Sequence, residues 1–353
     1  MKSLQVVKTG SVRAPDPEDR GRVEVRDIPE PQLLHDDDVK IKVAYCSICG
    51  SDPHLIEGIF GWQVPFGLGH ELSGVITELG PGAAAKGLKV GDRVAGNFLH
   101  FCGSCYYCRN GQQQFCENIP EGNAGMSEYV IWDASQVFVL PDGISLRKGC
   151  LLEPVSVAVR IADKLAMKAG QRVFISGCGP IGLFALQILK MYGASVVAVS
   201  EVSESRLALA KKLGADFTIN PAETSLQEAA DAITGGRGFD AVVEVSGNKG
   251  AAAAMPGITA KGGTIIYGAQ YPRDFDLPFN LYNICFEKEL TVTGIYVSPY
   301  CFPRALQLLP RMQLDEFVKT SYPLEQGVEA FQAQFEAKSP KVLIECNRDI
   351  ANL

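Results

Sequence analysis

From Gly170 to about Gly294 the chain alternates short apolar runs with helical patterns, and no other feature restricts its fold as far. VFIS is followed by IGLFALQILKMYG, VVAVS and ESRLALAKKLG, and later by AVVEV and TIIYG. Short strands that are apolar throughout bury both faces, and helices between them carry the chain back so that the strands run the same way. The rhythm predicts an α/β region built on a parallel sheet. At the end of its first strand, Gly177-Cys178-Gly179-Pro180-Ile181-Gly182 forms a GxGxxG that opens a helix. Glycine-rich turns are common, but between a strand and a helix this one is the dinucleotide fingerprint, whose glycines let backbone approach a pyrophosphate at a helix N-terminus. The next strand ends at Glu201, nineteen residues beyond Gly182. A carboxylate there accepts from the adenosine ribose hydroxyls and repels a 2′-phosphate, which favours NAD over NADP. Arg206 could face either a ribose or a phosphate, and Glu201 could instead cap the following helix.

Up to about residue 157 the texture differs. Alternating runs such as VKIKVAY and EYVIW, punctuated by Gly, Pro and Asp, predict short strands and tight turns. After Tyr296 one helical pattern, RALQLLPRM, precedes a last strand, KVLIEC, that could return to the first domain, and the AAAAM run at 251–255 fits a helix. At 353 residues two domains are the natural expectation. The net charge of −7 offers no general attraction to nucleic acid or to an anionic membrane. MKSLQVVKTG lacks the apolar run of a signal peptide, and no apolar stretch is long enough to span a bilayer. A cytoplasmic setting is expected, where the eleven cysteines are reduced.

Four of them, Cys102, Cys105, Cys108 and Cys116, stand within fifteen residues in FCGSCYYCRNGQQQFC. Four sulfurs so spaced suit one tetrahedral zinc far better than two disulfides, and a zinc with four thiolates has no position left for substrate. This metal should organise a lobe rather than do chemistry. A second constellation is dispersed. Cys49 follows the VKIKVAY strand, and His70-Glu71 lies in the glycine-flanked LGHELSG. A thiolate, an imidazole and a carboxylate from different loops could form an open zinc site, although by spacing alone a lone Cys or His is more often core.

Taken in order, ICGSDPH, LGHE, GDRV with the four-cysteine lobe, LLEPVSVA, GCGPIG and PKVLIEC resemble the zinc-containing medium-chain dehydrogenase/reductase superfamily over nearly the whole chain. The pair GHE and EPVSV resembles its sorbitol (polyol) dehydrogenase branch rather than the classical alcohol dehydrogenases, which carry a second catalytic cysteine where Glu153 stands. The resemblance implies a GroES-like catalytic domain over 1–157 and 297–353, with the structural zinc lobe at about 98–118, and a Rossmann NAD-binding domain over 158–296. It implies two zinc ions per subunit. Cys49, His70 and Glu71 match catalytic zinc ligands, and Glu153 matches a carboxylate that binds zinc directly or through a water. Asp52 matches the residue that accepts the N–H of the histidine ligand. Ser51 and His54 match a proton relay. For the cofactor, Gly177, Gly179, Pro180, Ile181, Gly182, Glu201 and Arg206 match NAD contacts, with backbone from Val245, Ser246 and Gly247, from Tyr267, Gly268 and Ala269, and from Ile295, Tyr296 and Val297.

The implied reaction is hydride transfer between NAD and a secondary alcohol or polyol, in a homo-oligomer, dimer or tetramer. The sequence also departs from the branch. Val297 and Ser298 stand where sorbitol dehydrogenases typically carry an Arg-Tyr pair that helps hold the polyol, and Arg160 stands where many relatives carry His. A different hydroxylated substrate, such as an alditol phosphate or an amino-acid alcohol like threonine, is therefore a second reading. A non-catalytic NAD-binding protein is a third, and the presence of every zinc ligand speaks against it. Phe60, Trp62 and Phe66 belong either to a substrate mouth or to the core.

Overall fold

The computed structural model describes residues 1–12, 14–120, 124–336 and 339–353. The chain divides into two compact units, Met1–Glu153 with Phe302–Leu353, and Pro154–Cys301. The division therefore lies a few residues before 157/158 and a few after 296/297, and its first cut falls inside the helix Leu152–Lys164.

The first unit is β-rich. Its larger sheet runs Thr320–Pro323, Val342–Glu345, Asp38–Ser47, Glu71–Leu79, Arg93–Gly96 and Val137–Val139, with Tyr129–Asp133 pairing Asp38–Ser47 as well. Lys2–Lys8, which buries Ser3, Leu4, Gln5 and Val6, pairs with Arg22–Asp27 and Phe66–Gly67 in a smaller sheet. The strand Asp38–Ser47 is central, and its alternation is misleading about exposure. Lys40 is buried because its ammonium meets Glu30 and Glu78, each at 2.6 Å, so the charged end is paired while the stem packs. KVLIEC does return to this unit: Val342–Glu345 lies antiparallel to Asp38–Ser47, with Leu343 opposite Ser47.

The second unit is a six-stranded, wholly parallel sheet in the order Phe217–Ile219, Val196–Ser200, Arg172–Ser176, Phe239–Glu244, Thr259–Tyr267, Thr291–Gly294. That is the doubly wound order of a Rossmann domain, reversing direction beside Arg172–Ser176. Val173, Phe174 and Ile175 are wholly buried, as a strand covered on both faces requires. The AAAAM run lies in the helix Lys249–Ile258. RALQLLPRM forms the helix Phe302–Leu308 and then a 3-10 turn, Leu309–Arg311, where Pro310 cannot supply a helical N–H.

Candidate active site and coenzyme site

In the first unit three chain segments converge. Asp38–Ser47 ends two residues before Cys49, and Glu71–Leu79 starts at Glu71, so the two antiparallel strand ends present Cys49, His70 and Glu71 together. One ligand atom from each lies within 4.8 Å of the other two. A thiolate, an imidazole and a carboxylate at that spacing are a donor set suited to zinc. Glu153, in the first turn of Leu152–Lys164, is buried beside the trio but is not part of it. Burial pushes its carboxyl up to about 7, with His70 opposing the rise and Glu71 adding to it.

The surroundings hold these side chains still. Asp52 opens the helix Asp52–Ile56 and is wholly buried; its Oδ2 accepts the Cys49 N–H at 2.8 Å. Its Oδ1 faces His70 Nδ1 at 3.5 Å, and neither atom has a hydrogen-bond partner. Two buried polar atoms left facing each other are costly unless the contact closes. A metal on the other ring nitrogen would fix the imidazole with its Nδ1–H toward Asp52, so these residues fit the ion. Ser51 Oγ donates to Cys49 Sγ at 3.2 Å and the His54 ring meets Glu57 at 3.2 Å, so the two side chains have different partners, while the His54 backbone N–H donates to the Ser51 carbonyl at 3.0 Å. Phe98 packs on the His70 ring at 4.8 Å between centroids.

Lys341 is a member of this site that sequence reasoning missed. It is buried, and its ammonium meets Glu71 Oε2, which also accepts from Ser47 Oγ. Burial works against the lysine's charge, but Glu71 and Cys49 outweigh it and raise Lys341 to about 12. Its signal was weak, since a lysine between Pro340 and a strand reads as a solvent-facing residue.

The four-cysteine lobe is also assembled. Cys102, Cys105, Cys108 and Cys116 place their sulfurs within 4.8 Å of one another. Backbone N–H groups point at the sulfurs, from Cys105 to Cys102 and from Cys102 and Asn118 to Cys116, each at 3.4 Å. Hydrogen bonds from Asn118 and Ser104 lower Cys102 to about 5, while burial raises Cys108 to about 12. Four thiolates together call for a bound cation, and zinc fits.

In the second unit the three fingerprint glycines do different jobs. Gly177 has φ +100°, and a Cβ there would lie 2.8 Å from Ser246 Cα. At Gly182 a Cβ would lie 2.0 Å from the Gly177 carbonyl oxygen, so this glycine sets the close packing of helix on turn. Gly179, just before the helix Pro180–Met191, has open space where a Cβ would point, and that space suits a phosphate. A groove of about 780 Å³ is lined by Gly177, Gly179, Glu201, Arg206, Val245 and Ser246, among others. Glu201 is fastened by the N–H groups of Cys178 (3.1 Å), Val202 (2.9 Å) and Ser203 (3.2 Å), with Arg206 at 3.6 Å.

The other cofactor candidates, Pro180, Ile181, Gly182, Gly247, Tyr267, Gly268, Ala269, Ile295, Tyr296 and Val297, do not line that groove. Several of them meet elsewhere in the unit: a Cβ on Gly268 would touch Ile295 and Val245 at 3.2 Å, and one on Gly247 would touch Ala269 at 3.7 Å. Tyr267 donates to the Ala252 carbonyl at 2.9 Å. Ser298 is buried against Ser156, with 2.5 Å between their hydroxyls. Arg160 has a buried Nε without a hydrogen-bond partner. Phe60 stacks on Trp62, which meets Phe66 edge-on; Trp62 and Phe66 pack against the core of the first unit and Phe60 is exposed.

A GroES-like β-unit carrying two metal-ligand clusters, with a parallel dinucleotide-binding unit, is the plan of a zinc-binding dehydrogenase. Residues 35–142 match the alcohol dehydrogenase GroES-like domain and residues 180–311 the zinc-binding dehydrogenase domain. The D-arabitol-phosphate dehydrogenase of Enterococcus avium is 36% identical over 324 residues, 88% of this chain and 91% of its own. The sorbitol dehydrogenase of Bacillus subtilis (strain 168) is 32% identical over 340 residues, 92% of this chain and 95% of its own. The crystal structure of the gutB protein of Clostridium scindens ATCC 35704 superposes with a TM-score of 0.90 at 33% identity, covering 98% of this chain and 99% of that one. The chain belongs to the zinc-binding medium-chain dehydrogenases, as an alcohol or polyol dehydrogenase acting on CH–OH groups.

Proposed function

We propose that this chain is an NAD-linked dehydrogenase that oxidises a secondary hydroxyl of a polyol, with one catalytic and one structural zinc per subunit. The observation that carries the reading is the meeting of Cys49, His70 and Glu71 within 4.8 Å, with the buried Glu153 beside them. When bound there, zinc supplies Lewis acidity toward an alcohol or carbonyl oxygen. Cys49, His70 and Glu71 hold it, and Asp52 orients His70. Glu153, outside the trio, accepts a hydrogen bond from a water or from a second hydroxyl of the substrate, which suits a polyol. Ser51, donating to Cys49, tempers the thiolate. NAD, held in the groove of the second unit, would supply the hydride acceptor for the oxidation, and the proton of the substrate hydroxyl would have to reach solvent; Ser51 and His54 are the candidates to pass it.

NAD is the proposed coenzyme because Glu201 puts a carboxylate at the ribose end of the groove. A carboxylate offers about four acceptor directions. Three backbone N–H groups occupy its oxygens, which leaves acceptor capacity for a ribose hydroxyl, while its charge would repel a 2′-phosphate. Alditol phosphates are the second reading, favoured by the similarity to a D-arabitol-phosphate dehydrogenase. A cytoplasmic setting accords with eleven unbridged cysteines, and among the described residues no helix is long and apolar enough to cross a membrane. The test is NADH formation by the zinc-loaded protein on alditols, cyclic polyols, alditol phosphates, simple secondary alcohols and threonine, beside Cys49→Ala. Turnover on an alditol or its phosphate that vanishes in the variant supports the reading. Turnover that survives the loss of Cys49, or none on any member of the panel, sinks it.

A further inference from the structure

Glu71 is not free to turn. Its Oε2 accepts from both Lys341 Nζ and Ser47 Oγ, and Lys341 also donates to the Ile48 carbonyl at 3.0 Å. Lysine and glutamate side chains are only 3% and 1% exposed. Strand register builds the arrangement, because Leu343 opposite Ser47 brings Lys341, at the foot of the last strand, against the end of Asp38–Ser47. A buried ion pair contributes little net stability, since the desolvation of both charges offsets their attraction. The reason for burying this one is therefore sought in what it does to the carboxylate.

We propose that Lys341 is a positioning residue that holds one oxygen of Glu71 and so confines Glu71 to one-oxygen ligation of the catalytic metal, an inference that rests on the metal-site reading above. Carboxylates bind metals through one oxygen or two. With both oxygens on the ion, Glu71 would add a donor and crowd the position that substrate needs, and catalytic zinc sites depend on keeping one position open. Lys341, helped by Ser47, withholds the second oxygen. Its charge also offsets one of the two carboxylates gathered with the Cys49 thiolate, which a neutral residue of similar length could not do.

Cobalt(II) in place of zinc reads this directly in the full chain, because its visible bands are intense in a four-coordinate tetrahedral site and weaker, at shorter wavelength, when a fifth donor binds. The bands of this site are the difference between the unaltered protein and Cys49→Ala, which keeps the four-cysteine cluster. Lys341→Met is expected to lose the intense tetrahedral bands in favour of the weaker five-coordinate pattern, and Lys341→Arg to retain them. Should Lys341→Met fail to fold, Lys341→Leu is read in its place with the same change expected, since neither side chain can donate to Glu71. Intense bands that persist in the neutral variant overturn the role of Lys341 while leaving the metal site standing. Absence of any Cys49-dependent band in the unaltered protein removes the metal-site reading and this inference with it.

Discussion

Cys49, Asp52 and Glu201 each join chemistry to a specific local contact, and each gives a separable prediction. Cys49→Ala removes a ligand of the dispersed trio and leaves the four-cysteine lobe intact, so metal analysis should find one zinc per chain instead of two. Asp52→Asn keeps the shape but puts a weaker acceptor opposite His70. Partners of this kind typically contribute about 10–100-fold in metal affinity or activity, and chelator competition should show a loss in that range with the fold intact. A wild-type zinc affinity in this variant would contradict the orienting role of Asp52. Glu201→Gln keeps the size and removes the charge. A hydrogen bond to a charged group contributes about 1.5 kcal/mol or more, so the KM for NAD should rise roughly tenfold while the preference over NADP narrows. The glutamate and the four cysteines were legible because their spacing along the chain is itself the signal. Lys341 was not, because its partner Glu71 is 270 residues away in sequence and only strand pairing joins them.

The turn from Arg172–Ser176 into Pro180–Met191 shows how one element assigns different duties to the same residue type. A Cβ at Gly182 would lie 2.0 Å from a backbone carbonyl, whereas one at Gly179 meets nothing within 4 Å. Gly182→Ala should therefore lose about 1–3 kcal/mol of stability, as overpacking does, seen as a lower denaturant midpoint. Gly179→Ala, at an ordinary φ of −71°, should keep its midpoint and instead bind NAD more weakly by titration. Equal effects of the two on stability would refute this division. The strands and helices of this unit could be read from sequence because fully buried strands are apolar runs and their helices have a 3.6-residue period. Short edge strands such as Phe217–Ile219 and Thr291–Gly294 were not foreseen, since three or four partly exposed residues carry no periodicity to detect. The strand Asp38–Ser47 was foreseen, but not the burial of Lys40, which depends on carboxylates from Glu30 and Glu78 arriving from other segments.

At the scale of the whole molecule the parallel sheet ends on Thr291–Gly294, an edge strand preceded by Leu281, Tyr282 and Phe286, which are 67%, 66% and 78% exposed. An unpaired edge with large apolar neighbours is a surface that soluble proteins usually cover. A homo-oligomer, which the family resemblance implies, would bury this surface; on that proposal a Leu281→Lys, Phe286→Lys double variant should elute as a smaller species than the unaltered protein while keeping its zinc. An unchanged elution volume would contradict a contact between copies of the chain at this surface. What the sequence determined by itself was whatever is written in local spacing: the four-cysteine lobe, the GxGxxG with its downstream carboxylate, and the alternation of strand and helix. What only the tertiary structure decided was which distant residues meet. Antiparallel register brings Cys49 beside His70 and Glu71, and the returning last strand carries Lys341 to Glu71. The reason is physical. Spacing constrains side chains on one turn or one strand, but contacts across a sheet depend on register and burial, which arise when the whole core closes.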